Sequence, residues 1–162
     1  MHLSNTRPAV YTPAVLFLCA ILLLSFVPDR APATDPTCRP TPPDALGPFY
    51  EPDAPLRNSV GSGYRLSGTV RAAGTCEPIA DAKIELWLAG PDGDYSDAYR
   101  ATVFSDGNGN YRFESHIPPA YFGRPPHIHI KVGAGGFQTL TTQHYPETGD
   151  AKGFFDLVLR PV

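Results

Sequence analysis

Charge is scarce in this chain and cysteine scarcer. Thirteen Lys+Arg stand against 16 Asp+Glu in 162 residues, with three cysteines. No basic run exists that could follow a phosphate backbone, which removes nucleic acid from the candidate partners. No Cys-x-x-Cys is present, so a thiolate metal site has little to build on. After the first thirty residues there is no long apolar run of period 3.6, and that argues against a helical core. No internal repeat stands out and nothing marks a second domain, while the length suffices for one domain with a real core. What fills the chain instead is 19 Pro and 15 Gly, the composition of short strands and many turns. The fold class that follows is all-β.

The strongly apolar segment is Ala14 to Val27, which follows a polar start containing Arg7 and precedes Ala31-Pro32-Ala33, a small-x-small cleavage pattern. Residues 1–33 therefore read as an export signal cut near Ala33. Fourteen residues are short for a spanning helix, which needs about 20; an uncleaved N-terminal anchor is the alternative. With no twin-Arg pair, the chain is expected to leave the cytosol unfolded and to acquire any metal outside it. The expected location is secreted or periplasmic. Removing the signal leaves Cys38 and Cys76, an even pair that in an oxidising compartment most simply forms a disulfide.

Residues 34–58 form a Pro-rich arm with too few periodic apolar residues for a core element. It is expected to wrap the surface, with Gly47-Pro48-Phe49-Tyr50 docking two aromatics on the domain that spans 59–162. From Tyr64 the period becomes 2. Tyr64 to Val70 reads as a first strand, and Ile84, Leu86 and Leu88 alternate with Glu85 and Trp87 in a second. Asp106-Gly107-Asn108-Gly109 is rich in residues that tolerate positive φ, so Ala101 to Ser105 and Asn110 to Ser115 are expected to pair as a hairpin. A strand over the residues after Pro126, another at Gln138 to Tyr145 and a last at Phe154 to Leu159 complete a β-sandwich.

The candidate site is Tyr121-Phe122-Gly123-Arg124-Pro125-Pro126-His127-Ile128-His129-Ile130-Lys131-Val132. Strand alternation sends His127, His129 and Lys131 to one face and Ile128, Ile130 and Val132 to the other. The aliphatic set faces a core, and two imidazoles stand together on the opposite face. Pro125 and Pro126 hold the entering chain extended. His-x-His alone is a weak signal, since two imidazoles on an exposed strand face are often only solvated.

The ordered set is more specific. Leu66-Ser67-Gly68-Thr69-Val70, Pro78-Ile79-Ala80-Asp81-Ala82, Ser105-Asp106-x-x-Gly109-Asn110-Tyr111-Arg112-Phe113 and Pro118-x-x-Tyr121 look like a prealbumin-type antiparallel sandwich. Glu85-Leu86-Trp87, Gly93-Asp94-Tyr95, the Tyr121-to-His129 stretch and Thr142-Gln143-His144-Tyr145 add to it. Together they resemble the intradiol ring-cleavage dioxygenases, the family of protocatechuate 3,4-dioxygenase and catechol 1,2-dioxygenase. The resemblance runs from about Gly47 to the C-terminus, and Gly47 to Tyr50 with Pro52-Asp53-Ala54-Pro55 and Arg57 is similar to the exported single-domain members.

That resemblance implies a non-haem Fe(III) held by Tyr95, Tyr121, His127 and His129. Phenolate is a hard anionic donor suited to Fe(III), and a bound cation can deprotonate a Tyr whose free pKa is about 10. A Zn or Cu site more usually recruits a third His or a Cys. Tyr99 competes with Tyr95, which is preferred because it follows Gly93-Asp94. The resemblance further implies a catechol-type substrate and O2 as partners and a cis,cis-muconate-type product. Tyr121 would be displaced on substrate binding with His129 opposite it, and Arg124 would stabilise negative charge developing on the ring. Gln143 matches a family Gln near the substrate. His116 and His144 are read as solvated or structural.

Two departures bear on substrate. No N-terminal helical dimerisation domain is expected from these residues, and the segment from Tyr95 to Phe104 is much shorter than the loop that closes the pocket in protocatechuate 3,4-dioxygenases. A shallower, wetter site that admits larger or polymer-linked catechols is expected. The rival readings are a non-catalytic prealbumin-like binding module, which would lack the Tyr, Tyr, His, His set, and an iron-binding but inactive homologue.

Overall fold

The computed structural model describes residues 38–121, 123–147 and 149–162. The expected export signal at 1–33, with His2 and Cys19, lies outside the described residues. Eight strands follow in order: β1 (Tyr64–Ala72), β2 (Lys83–Trp87), β3 (Arg100–Phe104), β4 (Asn110–Ser115), β5 (Ile128–Gly133), β6 (Leu140–His144), β7 (Lys152–Phe154) and β8 (Leu157–Leu159). One sheet runs β3-β2-β5-β6 and is antiparallel throughout. In the other, β1 pairs antiparallel with β4 and parallel with β7 and then β8. Among the described residues a single 3-10 turn, Asp97–Tyr99, is the only helical element. The result is an all-β sandwich.

Alternation supplies the core. Leu66 and Val70 of β1, Ile84 and Leu86 of β2, and Ile128, Ile130 and Val132 of β5 point between the sheets and are fully buried. Their neighbours point the other way, and the register lines these up in rows. Arg100, Trp87, His129 and Gln143 stand side by side across the four strands, and Thr102, Glu85, Lys131 and Thr141 form the next row. Polar side chains on an outer sheet face are ordinarily solvated. Here Trp87, Glu85, His129 and Gln143 are all buried, so something covers them.

The cover is the Pro-rich arm, which crosses the outer face of the β3-β2-β5-β6 sheet as a strap. It starts beside β8, where Thr41 N donates to Val158 O at 3.1 Å, and meets β6 where Asp44 N donates to Thr141 O at 2.9 Å. At β5 and β2 the Tyr50 hydroxyl accepts from Lys131 Nζ at 2.8 Å and donates to Glu85 at 3.2 Å, with its ring against Trp87. At β3, Thr102 donates to Ala54 O through its hydroxyl and to Pro55 O through its amide, both at 2.7 Å. Prolines suit a strap of this kind, because the chain is extended at little entropic cost and its remaining amides suffice for the few bonds it makes. A disulfide joins Cys38 at its start to Cys76 in the turn after β1.

Two sequence expectations are corrected. Ala101 to Ser105 and Asn110 to Ser115 are not a hairpin: β3 pairs with β2 and β4 with β1. The turn is tight, with Asp106 Oδ1 accepting from the amides of Asn108 and Asn110 at 2.9 and 2.8 Å, but it carries the chain from one sheet to the other. Ser105 accounts for the divergence, since its hydroxyl donates to Ile79 O at 2.7 Å and accepts from Ala82 N at 2.9 Å, holding the end of β3 to the β2 side. The last strand is likewise two. Between β7 and β8 the chain bends at Phe155 and Asp156, whose backbone amide and carboxylate are engaged by Ser67 O and Thr69 N at 2.8 Å each. Gly68 permits this approach, because a Cβ there would overlap the Phe155 carbonyl.

The disulfide closes a loop of 38 residues, for which chain entropy gives up to about 4 kcal/mol. Replacing Cys38 and Cys76 with Ala is expected to lower unfolding stability in urea by about 2–4 kcal/mol. An unchanged midpoint would mean that the strap holds equally well without its tether.

Candidate metal centre

Four rings close a circuit on the outer face of the sheet. Tyr95 and Tyr121 have centroids 5.9 Å apart, Tyr121 and His127 5.8 Å, His127 and His129 4.8 Å, and His129 and Tyr95 6.1 Å. Each arrives by a different local device. His129 stands on β5, and His127 immediately precedes that strand. Tyr121 is fixed by a turn in which its amide and that of Arg124 bond each other's carbonyls at 3.2 and 2.9 Å; Gly123 supplies the positive φ of 75° that the turn requires. Tyr95 comes from the short connection between β2 and β3. Tyr99, its sequence competitor, packs its ring edge-on against His116 with centroids 5.4 Å apart.

Several polar atoms of this circuit lack partners. His127 Nε2 and both ring nitrogens of His129 are buried with no hydrogen bond, and the buried Tyr95 hydroxyl is influenced by no side-chain hydrogen-bonding group but that of Tyr121. Buried polar groups are nearly always satisfied, so several orphans within one circuit of rings call for an explanation. His127 shows what they are oriented for: its Nδ1 bonds Pro125 O at 2.8 Å, which leaves Nε2 with its lone pair free, as in a metal-ligating histidine. Among the described residues no group of three His, Cys, Asp or Glu could hold a metal. The rings that converge here are two phenols and two imidazoles, a donor set that fits Fe(III) better than zinc.

Burial sets the electrostatics. Desolvation holds His127 below the ordinary imidazole pKa; it pulls His129 down to about 4, with the neighbouring His127 adding to the effect. Both imidazoles are therefore neutral near pH 7 and able to ligate. Desolvation, reinforced by Tyr121, pushes the Tyr95 phenol well above its usual range. A metal-free Tyr95 is protonated, and a cation in the circuit would reverse that balance.

Beside the circuit lies a polar network that crosses from sheet to strap. Arg124 Nη2 donates to Gln143 Oε1 at 2.6 Å and to the Tyr145 hydroxyl at 3.2 Å. Gln143 Nε2 donates to Ala45 O at 2.6 Å, and the Tyr145 hydroxyl donates to Asp44 Oδ2 at 2.7 Å. That bond, first among its causes, holds the Asp44 carboxyl below the usual carboxylate range. Arg124 and Gln143, singled out in the sequence, thus meet directly. Tyr145 and Asp44 were missed as members of the site. Tyr145 had a signal, standing two residues beyond Gln143 and hence on the same strand face; Asp44, about a hundred residues away, had none. Phe49 of the strap stacks on Tyr95 with centroids 4.4 Å apart and is itself 39% exposed, so this aromatic pair forms the solvent-facing edge of the circuit. The remaining histidines are otherwise engaged: His116 Nε2 bonds Ala89 O at 2.9 Å, and half-buried His144 lies against the Tyr64 hydroxyl at 2.5 Å.

Three comparisons place this geometry among known proteins. No family model matches the chain. A chlorocatechol 1,2-dioxygenase of Pseudomonas putida is 33% identical over 145 residues, 68% of this chain and 55% of that protein. A catechol 1,2-dioxygenase of Candida albicans is 28% identical over 166 residues, 80% of this chain and 55% of its own length. The chain thus spans about half the length of the curated relatives it matches. Among solved structures, the dioxygenase domain of a dioxygenase and carbohydrate-binding fusion from Streptomyces sp. SirexAA-E superposes with a TM-score of 0.68 at 29% identity, over 76% of this chain and 99% of that one. An intradiol ring-cleavage dioxygenase from Tetranychus urticae has the same fold, with a TM-score of 0.68 at 19% identity.

In the folded, metal-free chain His129 binds its proton only near pH 4, whereas unfolded histidine does so near 6.5. Unfolding below pH 6.5 therefore takes up protons that the native state refuses. The contribution of neutral His129 to stability is full above about pH 6.5 and shrinks as the pH falls toward about 4. Thermal melts of chelator-treated protein should show the midpoint falling across that window; a flat profile would place His129 in water.

Proposed function

The chain belongs to the intradiol ring-cleavage dioxygenase family, and on that premise we propose that it opens the ring of a catechol-type diol with O2, giving a cis,cis-muconate-type product that contains both oxygen atoms. The observation that carries this reading is the circuit of two phenols and two imidazoles, in which His127 Nε2 and both His129 nitrogens are buried and unbonded. Held by Tyr95, Tyr121, His127 and His129, a non-haem Fe(III) would supply Lewis acidity and a common anchor for both diol oxygens.

The protein's own groups do the rest. His127 and His129 donate as neutral imidazoles, a state that their burial favours. Tyr121, as the phenolate that a bound cation would favour, would accept a proton from a substrate hydroxyl and be left a neutral phenol. Arg124 faces the charge that builds on the ring, and its planar guanidinium is oriented by Gln143 and Tyr145. The strap excludes water from one side of the imidazole pair. On the other side Phe49 and Tyr145 are exposed, and with only a short connection after Tyr95 to cover that edge, substituted or polymer-linked catechols suit it better than a fully enclosed small one. The disulfide and the apolar segment Ala14 to Val27 together support action outside the cytosol.

Protein loaded with ferric iron should show a red-brown tyrosinate-to-iron band that moves to longer wavelength on anaerobic addition of a catechol. Tyr95→Phe should weaken that band. A colourless protein after loading would remove the two-phenolate site and leave a binding module. Arg124→Gln should keep the band while kcat falls about a hundredfold; full activity would show that the guanidinium is only an ion-pairing group.

A further inference from the structure

His127 and His129 are held by different physics. The ring of His127 is fixed by a hydrogen bond from Nδ1 to Pro125 O at 2.8 Å, the usual way in which a ligating imidazole is oriented. His129 has no such bond, since neither of its nitrogens finds a partner. The Ala45 carbonyl is close enough to raise its basicity, but it makes no formed hydrogen bond to the ring and accepts from Gln143 Nε2 at 2.6 Å. Rotation about the Cβ–Cγ bond of an imidazole is soft, so some other contact must set the plane of this ring.

That contact is an indole. Trp87 is the direct cross-strand partner of His129 in the β2–β5 register, and the two rings lie parallel, with centroids 4.9 Å apart and planes 6° from coincident. Cross-strand neighbours at this distance are within stacking reach. Trp87 is buried, yet it stands apart from the apolar cluster between the sheets; it lies on the outer face, beneath the strap. Its Nε1 also lacks a partner, so packing holds the indole as well, with the Tyr50 ring tilted against it at 5.1 Å. Tyr50 in turn is pinned by Lys131 and Glu85. The strap also reaches the imidazole directly: a Cβ on Gly47 would come within 2.8 Å of His129 Cε1, so only the bare backbone of a glycine fits against that edge.

We propose that Trp87 is a positioning residue for the metal centre, fixing the plane of the His129 imidazole by stacking where His127 uses a hydrogen bond, with the strap residues Gly47 and Tyr50 closing the clamp. The inference rests on the proposed iron site. It goes further in assigning to the Glu85-Leu86-Trp87 strand a role toward the metal, and in tying ligand geometry to a strap that is distant in sequence.

The chain carries a single tryptophan, so indole emission excited on the red edge, beyond tyrosine absorption, reports on this stack alone. Titration of the full chain with ferric iron should quench that emission in step with growth of the tyrosinate band. Trp87→Leu should weaken iron affinity, measured by chelator competition, by about tenfold or more and broaden or shift the band. Trp87→Phe, which keeps a stacking face, should restore most of the affinity and the band position. In metal-free protein, the His129 ring protons should lose their upfield ring-current shift in Trp87→Leu, a readout that needs no iron and no turnover. If emission stays constant while the band grows, or if Trp87→Leu binds iron as wild type does, the clamp is overturned and the iron site stands. A wild-type chain that never colours overturns the iron site, and the clamp with it. Loss of catechol turnover with quenching intact would sink the dioxygenase reading alone.

Discussion

Side chains leave a β-strand alternately to its two faces, and the rest of this structure depends on that constraint as it acts on β5. Ile128, Ile130 and Val132 must fill the centre of the sandwich, so His129 and Lys131 are committed to the outside. The site is therefore built on the back of the core, on a sheet too rigid to let the imidazoles drift. The same rigidity fixes the row Arg100, Trp87, His129 and Gln143 across four strands. A one-residue slip of β5 would bury both imidazoles between the sheets and expose three aliphatics, so the register that stabilises the fold also keeps the two imidazoles together.

An outer face is normally wet, and a wet face would hold these groups poorly. The strap changes the medium. By covering Trp87, Glu85 and His129 it keeps the imidazoles neutral and pushes the Tyr95 phenol upward, leaving a pair of neutral donors and a phenol that only a cation would ionise. Its own polar groups are satisfied by the row below: Tyr50 by Lys131 and Glu85, Ala54 and Pro55 by Thr102. The second row thus anchors the cover that the first row needs.

Much of this was legible in the sequence because the signals were local. Period 2 marked β1, β2 and β5, Pro125 and Pro126 marked the extended entry to β5, and the spacing of the two His on one strand fixed which face they share. What was not legible depended on partners far along the chain. The turn at Asp106 to Gly109 has a hairpin's residues, yet Ser105 bonded to Ile79 and Ala82 decides that its two strands separate into different sheets. The bend at Phe155 is created by a glycine in β1, nearly ninety residues earlier. Asp44 reaches the Arg124 network only because the strap returns over the sheet. Composition could mark the arm as Pro-rich but could not say which row of side chains would receive it.

The strap also sets an order in time. Its residues come early among the described ones, but they bond to Val158, Thr141 and Thr142, about a hundred positions later. Closing loops of that length is unfavourable until the strands between have condensed. The sheet must therefore stand before its cover is laid, and the imidazoles pass through an interval in which they are already aligned and still uncovered. Were a metal taken up after synthesis, that interval would be the time at which the rings that hold it stand open.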